Sequence, residues 1–193
     1  AEAMELINGK NEWTGNIIAQ VKRLSLLIND LVLLSKIGET SAKDLTLVDT
    51  DLSEAVKGSA AGFRQMIEDA GKTLAVEAES GIHAKVEPRL FSEIVSILLD
   101  NAVKYCDEKG TITARLEKNK KGVILSVSNP YQEGASEDYE RFFERFYRGD
   151  TSHSSKRSGY GIGLSMARDM ARLMKGSLDV SYKDGVITFS LSL

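Results

Sequence analysis

The sequence has 193 residues, of which 42% are hydrophobic and 27% charged, the proportions of an ordinary soluble globular protein. Its formal net charge of −3 argues against binding to nucleic acid through overall positive charge, so any anion must be held locally by a loop or a few basic residues. The single cysteine, Cys106, excludes an internal disulfide framework and fits a reducing compartment. No apolar run approaches the length of a membrane span. Because the sequence begins at Ala1 without an initiator methionine, we expect a fragment of a longer protein or a processed product.

A heptad pattern predicts a long helix over residues 11–36. Apolar residues recur in steps of four and three at Ile17, Val21, Leu24, Ile28 and Leu31, and Ser35 ends the series. Leu27, Val32 and Leu34 widen this face beyond a two-stranded zipper and favour a helical bundle. The helix could pack on the core of its own domain. Because a polar stretch separates it from the next apolar block, the pattern favours packing between chains, and hence a homodimer.

That polar stretch, residues 38–44, has the composition of a linker. It predicts three parts: a helical segment over 1–37, the linker over 38–44, and an α/β domain over 45–193.

The predicted α/β domain alternates between strand and helix patterns. Helices are predicted over 52–69, 88–105 and 164–174, where Asp51 and Glu54 form a capping box for the first and Pro88 opens the second. Strands are predicted over 45–48, 73–78, 82–86, 111–117, 123–128, 177–182 and 186–193. The pairs 73–78 with 82–86 and 111–117 with 123–128 read as hairpins. This pattern predicts an α/β (α+β) two-layer sandwich, with a mixed sheet of five or more strands and three helices on one face.

Three glycines at alternate positions, Gly159, Gly161 and Gly163, lead into the third of these helices. Without a Cβ, such a loop lets backbone N–H groups approach a phosphate, and the positive end of the helix dipole faces the same anion. Glycines at this spacing also occur in plain turns, so the loop alone leaves both interpretations open.

The helix over 88–105 carries Asn101 and Lys104 on one face. An amide oxygen can bind Mg²⁺, and an ammonium three residues later can balance phosphate charge. The alternative is that Asn101 caps the end of the helix and Lys104 is a solvated surface residue.

Aromatic residues and arginines alternate over 142–148, in the segment Phe-Phe-Glu-Arg-Phe-Tyr-Arg. The segment could form a small core patch flanked by surface charge. It could also anchor a mobile lid, from which an arginine binds phosphate oxygens in bidentate fashion.

Taken in order, these three motifs resemble the N, F and G2 boxes of the sensor histidine kinases of two-component systems. The matching stretches are Asn-Ala-x-Lys-Tyr at 101–105, Phe-Glu-Arg-Phe-Tyr-Arg at 143–148, and Gly-x-Gly-x-Gly-Leu at 159–164. Residues 23–36 resemble the second helix of that family's dimerisation domain. The resemblance implies a Bergerat ATP-binding fold joined to half of a dimeric four-helix bundle.

The resemblance also implies roles for single residues. Asn101 would bind Mg²⁺, Lys104 and Arg148 would face the phosphates of ATP, and Tyr105 would line the nucleotide pocket. Gly159, Gly161 and Gly163, followed by Leu164, would form the phosphate side of the site and the hinge of its lid.

The sequence departs from the family at the phosphoacceptor. The family transfers phosphate to a histidine on the first bundle helix, and neither His83 nor His153 has that context. We therefore expect the acceptor histidine to precede Ala1, and His83 and His153 to be a structural and a solvated residue.

A second departure lies at the family's G1 box, Asp-x-Gly-x-Gly. Asn129 stands in place of the aspartate that reads adenine, and Tyr131 and Glu133 replace the two glycines. An amide oxygen accepts a weaker hydrogen bond than a carboxylate, and the two larger side chains must reshape the pocket wall. Ile97 occupies the position of the hydrolytic glutamate of related ATPases, so we expect little hydrolysis of free ATP.

The resemblance implies that the chain is the cytoplasmic, catalytic part of a bacterial membrane sensor kinase, joined to the membrane only through segments absent here. It would bind Mg·ATP and pass the γ-phosphate to a histidine, from which a response-regulator receiver domain takes it. The alternative is a degenerate kinase module that binds nucleotide weakly or not at all and acts as a dimeric interaction or phosphatase platform. An anti-sigma kinase or a gyrase-like ATPase fits less well, because of the heptad helix and the aromatic segment.

Overall fold

The computed structural model of the protein describes residues 12–39, 45–120, 122–149 and 160–193. The chain divides into two compact units, Ala1–Glu39 and Thr40–Leu193, and each is described by itself. Most of the predicted linker lies outside the described residues.

The described residues of the first unit form the helix α1 (Glu12–Glu39, 28 residues), where the heptad pattern predicts it. The apolar seam of α1 lies in solvent, with exposed fractions of 51% at Ile17, 57% at Val21 and Leu24, 51% at Ile28 and 41% at Leu31. A single surface-exposed apolar side chain is ordinary, but a row of five at heptad spacing is a helix face without its packing partner.

The second unit is built on a five-stranded sheet in the order β2-β4-β5-β7-β6. Its strands are β2 (Thr73–Ala78), β4 (Thr111–Asn119), β5 (Gly122–Pro130), β6 (Ser177–Lys183) and β7 (Val186–Ser192). The β2 strand runs parallel to β4, and every other neighbouring pair is antiparallel. The sheet is therefore mixed, as predicted, and open.

Three helices cover one face of this sheet: α2 (Leu52–Asp69), α3 (Pro88–Tyr105) and α4 (Gly163–Leu173). They pack on the alternate side chains of the strands that point inward, such as Leu125 and Val127 of β5 and Phe189 and Leu191 of β7, all buried. Burial of one such side chain stabilises the fold by about 1.5–3 kcal/mol. The predicted two-layer α/β sandwich with three helices on one face is confirmed.

The helix starts follow from local side chains. Asp51 caps α2 by accepting a hydrogen bond from the Glu54 N–H at 3.1 Å, whereas the Glu54 carboxylate pairs with Lys57. Glu87 caps α3 by accepting from the Leu90 N–H at 2.6 Å, with Pro88 in the first turn. Both starts lie where the sequence predicts them.

Two strand predictions were wrong. Residues 73–78 do not form a hairpin with 82–86, because β2 pairs with β4, while β3 (His83–Val86) pairs with β1 (Val48–Asp51) in a separate ribbon. The turn near Gly81 is real, with a φ of +78°. The first strand begins at Val48 rather than Leu45, since its partner β3 ends opposite Val48.

The buried side chain of Ser53 holds the chain as it passes from the sheet to the ribbon. Its hydroxyl donates to the Glu79 carbonyl at 2.5 Å and accepts from the Ile82 N–H at 3.0 Å. This contact joins residues almost thirty positions apart, which a periodicity pattern does not reveal.

Candidate functional site

The candidate site is built on the last two turns of α3, which carry Asn101, Lys104 and Tyr105. All three are partly exposed, while the opposite face of α3 is buried. The helix continues past Asn101 to Tyr105 and is capped by Cys106. Asn101 is therefore not a helix cap, and the alternative reading of this residue was wrong.

Within the part of the chain that the structure describes, the side-chain amide of Asn101 has no hydrogen-bond partner. A partly buried amide without an internal partner is available to a ligand. The described residues include no group of three or more His, Cys, Asp or Glu side chains that could hold a metal ion by themselves. Mg²⁺ often binds one or two protein oxygens and takes its remaining ligands from phosphates and water, so the Asn101 amide oxygen fits a Mg²⁺–phosphate complex.

Lys104 is held by the neighbouring acidic residue, Asp100. The Lys104 ammonium lies 2.5 Å from the Asp100 carboxylate, one helical turn earlier. The two side chains are 29% and 45% exposed, so the pair contributes a few tenths of a kcal/mol. A phosphate approaching Lys104 meets an ammonium already ordered on this face of α3, for which it competes with Asp100.

The C-terminal end of α3 meets the end of β5. Asn129, which the sequence places after a strand, is the second-last residue of β5 and only 2% exposed. Its amide nitrogen donates to the Pro130 carbonyl at 2.9 Å, which leaves the amide oxygen as the acceptor. The Tyr131 ring meets the Tyr105 ring edge to face, with 5.9 Å between centroids.

The described part of the glycine segment (residues 159–164) meets α3 one turn before Asn101. A Cβ on Gly163 would lie 3.3 Å from the Cγ2 of Ile97, so the start of α4 packs closely against α3. Ile162 precedes α4 without a side-chain cap, and Leu164 lies in the first turn. The backbone N–H groups of this turn therefore have no competing side-chain acceptor at the cap position. Gly159 lies outside the described residues.

Gly161 joins the glycine segment to the aromatic segment. Its φ is +70°, and its carbonyl accepts a hydrogen bond from the Phe146 N–H at 2.8 Å. A Cβ at this position would collide with the Tyr147 carbonyl oxygen and the Phe146 backbone. Glycine is therefore required here both for its conformation and for the close approach of another chain segment.

The aromatic segment packs onto the sheet and α4, so it forms a core patch and also connects to the glycine segment. Phe142 and Phe143 each lie 6.5 Å from the ring of Phe189. Tyr139 stacks on Tyr182 at 5.5 Å and donates a hydrogen bond to the Gly134 carbonyl. Burial, the largest of several causes, raises the pKa of Tyr139 to about 12, so this hydroxyl stays protonated and remains a donor at neutral pH.

Two basic contacts tie the aromatic segment to α4. The Arg145 guanidinium lies 3.4 Å from the Asp169 carboxylate, and Arg168 lies 4.6 Å above the Phe143 ring. Arg145 is therefore engaged with α4, and Arg148 follows the contact between Phe146 and Gly161 by two residues.

The motifs thus follow one another along α3. The glycine segment lies at Ile97, Asn101 and Lys104 come next, and the Asn129–Tyr131 end of β5 lies at Tyr105. From Ile97 to Tyr105 the helix rises by about 12 Å. The structure therefore places the predicted phosphate side of the site at the Ile97 end of this stretch of α3 and the predicted base side at the Tyr105 end.

Sequence reasoning missed two neighbours of the site. Asp100 could have been found, since an acidic residue four positions before a lysine on a helix predicts an ion pair. The contact of Tyr131 with Tyr105 had no sequence signal, because it depends on where β5 ends relative to α3.

Among the described residues, two reactive side chains outside this site, His83 and Cys106, have structural surroundings. His83 lies on the ribbon, with Asp49 3.3 Å and Asp51 3.8 Å from its two ring nitrogens. Cys106 is buried, and burial raises the pKa of its thiol, which keeps it protonated and unreactive. The expectation that His83 is structural fits these contacts, and His153 lies outside the described residues.

Comparison with known proteins agrees with this geometry. The model of the "Histidine kinase-, DNA gyrase B-, and HSP90-like ATPase" family matches residues 85–193, which include α3, the end of β5 and the glycine segment. The chain is 28% identical over 176 residues to the "Probable sensor protein PcoS" of Escherichia coli, covering 91% of this chain and 37% of that protein. The chain therefore spans much less than half the length of this relative.

Two solved structures share the fold. The histidine kinase AdeS of Acinetobacter baumannii has a TM-score of 0.73 at 19% identity, over 99% of this chain and 90% of that one. Full-length ShkA, solved with AMPPNP, has a TM-score of 0.73 at 21% identity, over 94% of this chain and 38% of that one. Together with the family match, the likeness to PcoS confirms the resemblance to sensor histidine kinases.

Proposed function

The chain belongs to the histidine kinase-, DNA gyrase B- and HSP90-like ATPase family, and on that premise we propose that it binds Mg·ATP and presents the γ-phosphate to a histidine on a separate helix. One observation carries the proposal. The unpartnered amide of Asn101 lies on α3 between the glycine segment at one end and the Tyr105–Tyr131 pair at the other. A nucleotide lying along α3 would meet a phosphate-binding segment, a metal ligand and an aromatic wall in that order.

The phosphate side combines three kinds of donor. The N–H groups at the start of α4 offer a helix N-terminus, Lys104 offers an ammonium, and Arg148 offers a fork of parallel N–H donors. Asn101 would hold Mg²⁺, which when bound neutralises phosphate charge. Catalysis of phosphoryl transfer rests mainly on such positioning and charge stabilisation.

The base side combines a hydrogen-bond acceptor and a ring. The Asn129 amide nitrogen donates to the Pro130 carbonyl, so the amide oxygen would be the acceptor for the exocyclic amino group of adenine. Tyr105 contributes the pocket wall. Because this oxygen is neutral, its hydrogen bond is weaker than one made by a carboxylate.

In the transfer step, an imidazole nitrogen of the acceptor histidine attacks the γ-phosphorus as the bond to the β,γ-bridging oxygen breaks, and ADP leaves. A receiver-domain aspartate then takes the phosphoryl group from that histidine. Ile97 has no carboxylate with which to activate water, so the arrangement favours transfer over hydrolysis.

A degenerate module that binds no nucleotide is the second candidate function. The observation that favours it is Tyr131, which is 3% exposed and fills a position where the family has glycine. In this reading the ring occupies space that adenine needs.

Calorimetric titration of the chain with Mg·ADP and with a non-hydrolysable Mg·ATP analogue separates the two functions. We expect saturable binding in the micromolar range that requires Mg²⁺. No heat of binding at millimolar nucleotide, with the protein folded by circular dichroism, would contradict the proposal and support the degenerate module.

We also propose that α1 forms a homodimer through its apolar seam. The seam residues listed above are all exposed, and covering them removes apolar surface from water at about 25 cal/mol per Å². We expect sedimentation equilibrium to show a dimer that Leu24→Glu converts to a monomer, because the charge would be buried without a partner. A control change on the other unit, Met66→Glu, exposed at 46%, should leave the dimer intact. A monomer at high concentration of the unchanged chain would contradict the proposal.

No helix among the described residues is long and apolar enough to cross a membrane. From the sensor proteins among its relatives, we propose that the chain works at the cytoplasmic side of a bacterial membrane as part of a longer sensor.

A further inference from the structure

Tyr131 is fixed on several sides at the point where β5 ends. Its N–H donates to the Gly185 carbonyl at 2.8 Å, and its hydroxyl lies 3.3 Å from the Glu137 carboxylate. A Cβ on Gly134 would lie 2.6 Å from the Tyr131 ring, so the ring occupies a space that only glycine at 134 leaves open. The side chain is thus locked in a single orientation.

The segment around Tyr131 is also tied to the end of α3. The Asp107 N–H donates to the Pro130 carbonyl at 3.0 Å, and the Asp107 carboxylate accepts from the Gln132 N–H at 3.0 Å. These two hydrogen bonds flank Tyr131 in sequence and hold it beside Tyr105. This backbone geometry brings the two rings close enough for their edge-to-face contact.

Tyr105 is the ring of this pair that a nucleotide can reach. It is partly exposed, whereas Tyr131 is 3% exposed. An edge-to-face contact restricts the tilt of the more exposed ring, and such pairs contribute measurable coupling beyond the area they bury. Tyr131 thus supports the base side of the site from behind, without contacting the base.

We infer that Tyr131 is a positioning residue that orients Tyr105 for the nucleobase, at a position where the family keeps glycine. The inference rests on the proposed function, since it needs a nucleotide at this site. It predicts that the effect of Tyr131 on nucleotide affinity passes through Tyr105.

A double-mutant cycle measures this dependence. We expect Tyr131→Leu, which keeps an apolar side chain but removes the ring, to weaken Mg·ADP binding about tenfold. In a Tyr105→Leu background, the same change should alter the affinity less than twofold. Tyr131→Phe retains the ring contact and should bind within about twofold of the unchanged chain, because the inferred role needs the aromatic ring and not the hydroxyl. Each affinity is measured by calorimetry on protein shown to be folded by circular dichroism.

The affinities in this cycle distinguish a positioning role of Tyr131 from an independent role and from a ring that obstructs the base. Additive effects of the two leucine variants, or an unchanged affinity in Tyr131→Leu, would overturn the positioning role while leaving the proposed function in place. Tighter binding by Tyr131→Leu would overturn it in favour of a ring that obstructs the base. If the unchanged chain binds no Mg·ADP, the proposed function and this inference fail together.

A measurement on the unchanged protein covers the case in which a leucine variant does not fold. Bound Mg·ADP should give nuclear Overhauser effects from the adenine protons to the Tyr105 ring and none to the Tyr131 ring. Effects to Tyr131, or to neither ring, would overturn the inference.

Discussion

Asn101→Ala is expected to reduce the affinity for Mg·ATP and Mg·ADP by about a hundredfold, ~2.7 kcal/mol. The amide oxygen is the metal ligand that we propose for this site, and alanine offers none. The thermal midpoint should change little, because within the described part of the chain the Asn101 side chain makes no hydrogen bond that alanine would remove. Calorimetric titration with nucleotide in Mg²⁺ and in EDTA, together with thermal unfolding, measures both quantities.

Asn101→Asp is the matched control. A carboxylate also binds Mg²⁺, so this variant should retain Mg²⁺-dependent binding while Asn101→Ala loses it. An equal loss of affinity in both variants would show that nucleotide binding depends on the amide nitrogen or on the shape of the residue, and does not depend on an oxygen ligand to Mg²⁺. Unchanged affinity in Asn101→Ala would remove Asn101 from the proposed site.

Gly161→Ala is expected to destabilise the second unit by roughly 1–3 kcal/mol. At a φ of +70° alanine is strained, and its Cβ would collide with the backbone of Phe146 and Tyr147. Neither of these is a flexible side chain end, so the two segments must separate. For a unit of about 150 residues, a loss of 2 kcal/mol lowers the thermal midpoint by about 4–8 °C.

Gly163→Ala, two residues later, is the matched control. Its φ does not lie in the left-handed region, and its new Cβ would meet only the Cγ2 of Ile97 at 3.3 Å. Alanine in place of glycine also lowers the conformational entropy of the unfolded chain, which stabilises the fold by about 0.4–1 kcal/mol and offsets this tight contact. The thermal midpoint of Gly163→Ala should therefore stay within a few degrees of the unchanged chain. Equal destabilisation by both changes would mean that neither the positive φ nor the contact with Phe146 and Tyr147 is what requires glycine at 161.

The contact at Gly161 places backbone strain beside the proposed phosphate side. Phe146 also has a positive φ, of +65°, and its side chain is 60% exposed. A non-glycine residue in this conformation is held there by its surroundings, which include the hydrogen bond to the Gly161 carbonyl. The strain couples the aromatic and glycine segments, which the sequence shows only as two separate motifs.

The hydrophobic periodicity of the sequence was enough to predict the helices and strands that depend on local sequence alone. The buried stripe of α3 and the alternating strands β4 and β5 could be predicted, because one face of each must be apolar to be covered. The cap Asp51 could be predicted as well, since its side chain accepts from an N–H group three residues away.

Pairing between distant segments could not be predicted in this way. The strand over 73–78 has the same alternating pattern whether its neighbour is β3 or β4. The choice depends on the hydrogen bonds of Ser53 in α2 with the backbone of Glu79 and Ile82, and on the register with β4. Both are contacts between residues far apart in sequence.

The sequence by itself determined the order of the three motifs and the residues in them, since each motif needs particular side chains, or the absence of one, at fixed local spacing. Only the tertiary structure decided that the motifs lie along α3 with the glycine segment at Ile97 and the end of β5 at Tyr105. It also decided that Tyr131, which in the sequence is only the loss of a glycine, is a locked ring behind Tyr105. The physical reason is that these contacts are made between chain segments whose proximity is set by the packing of α3 and α4 on the sheet, and no local pattern encodes that distance.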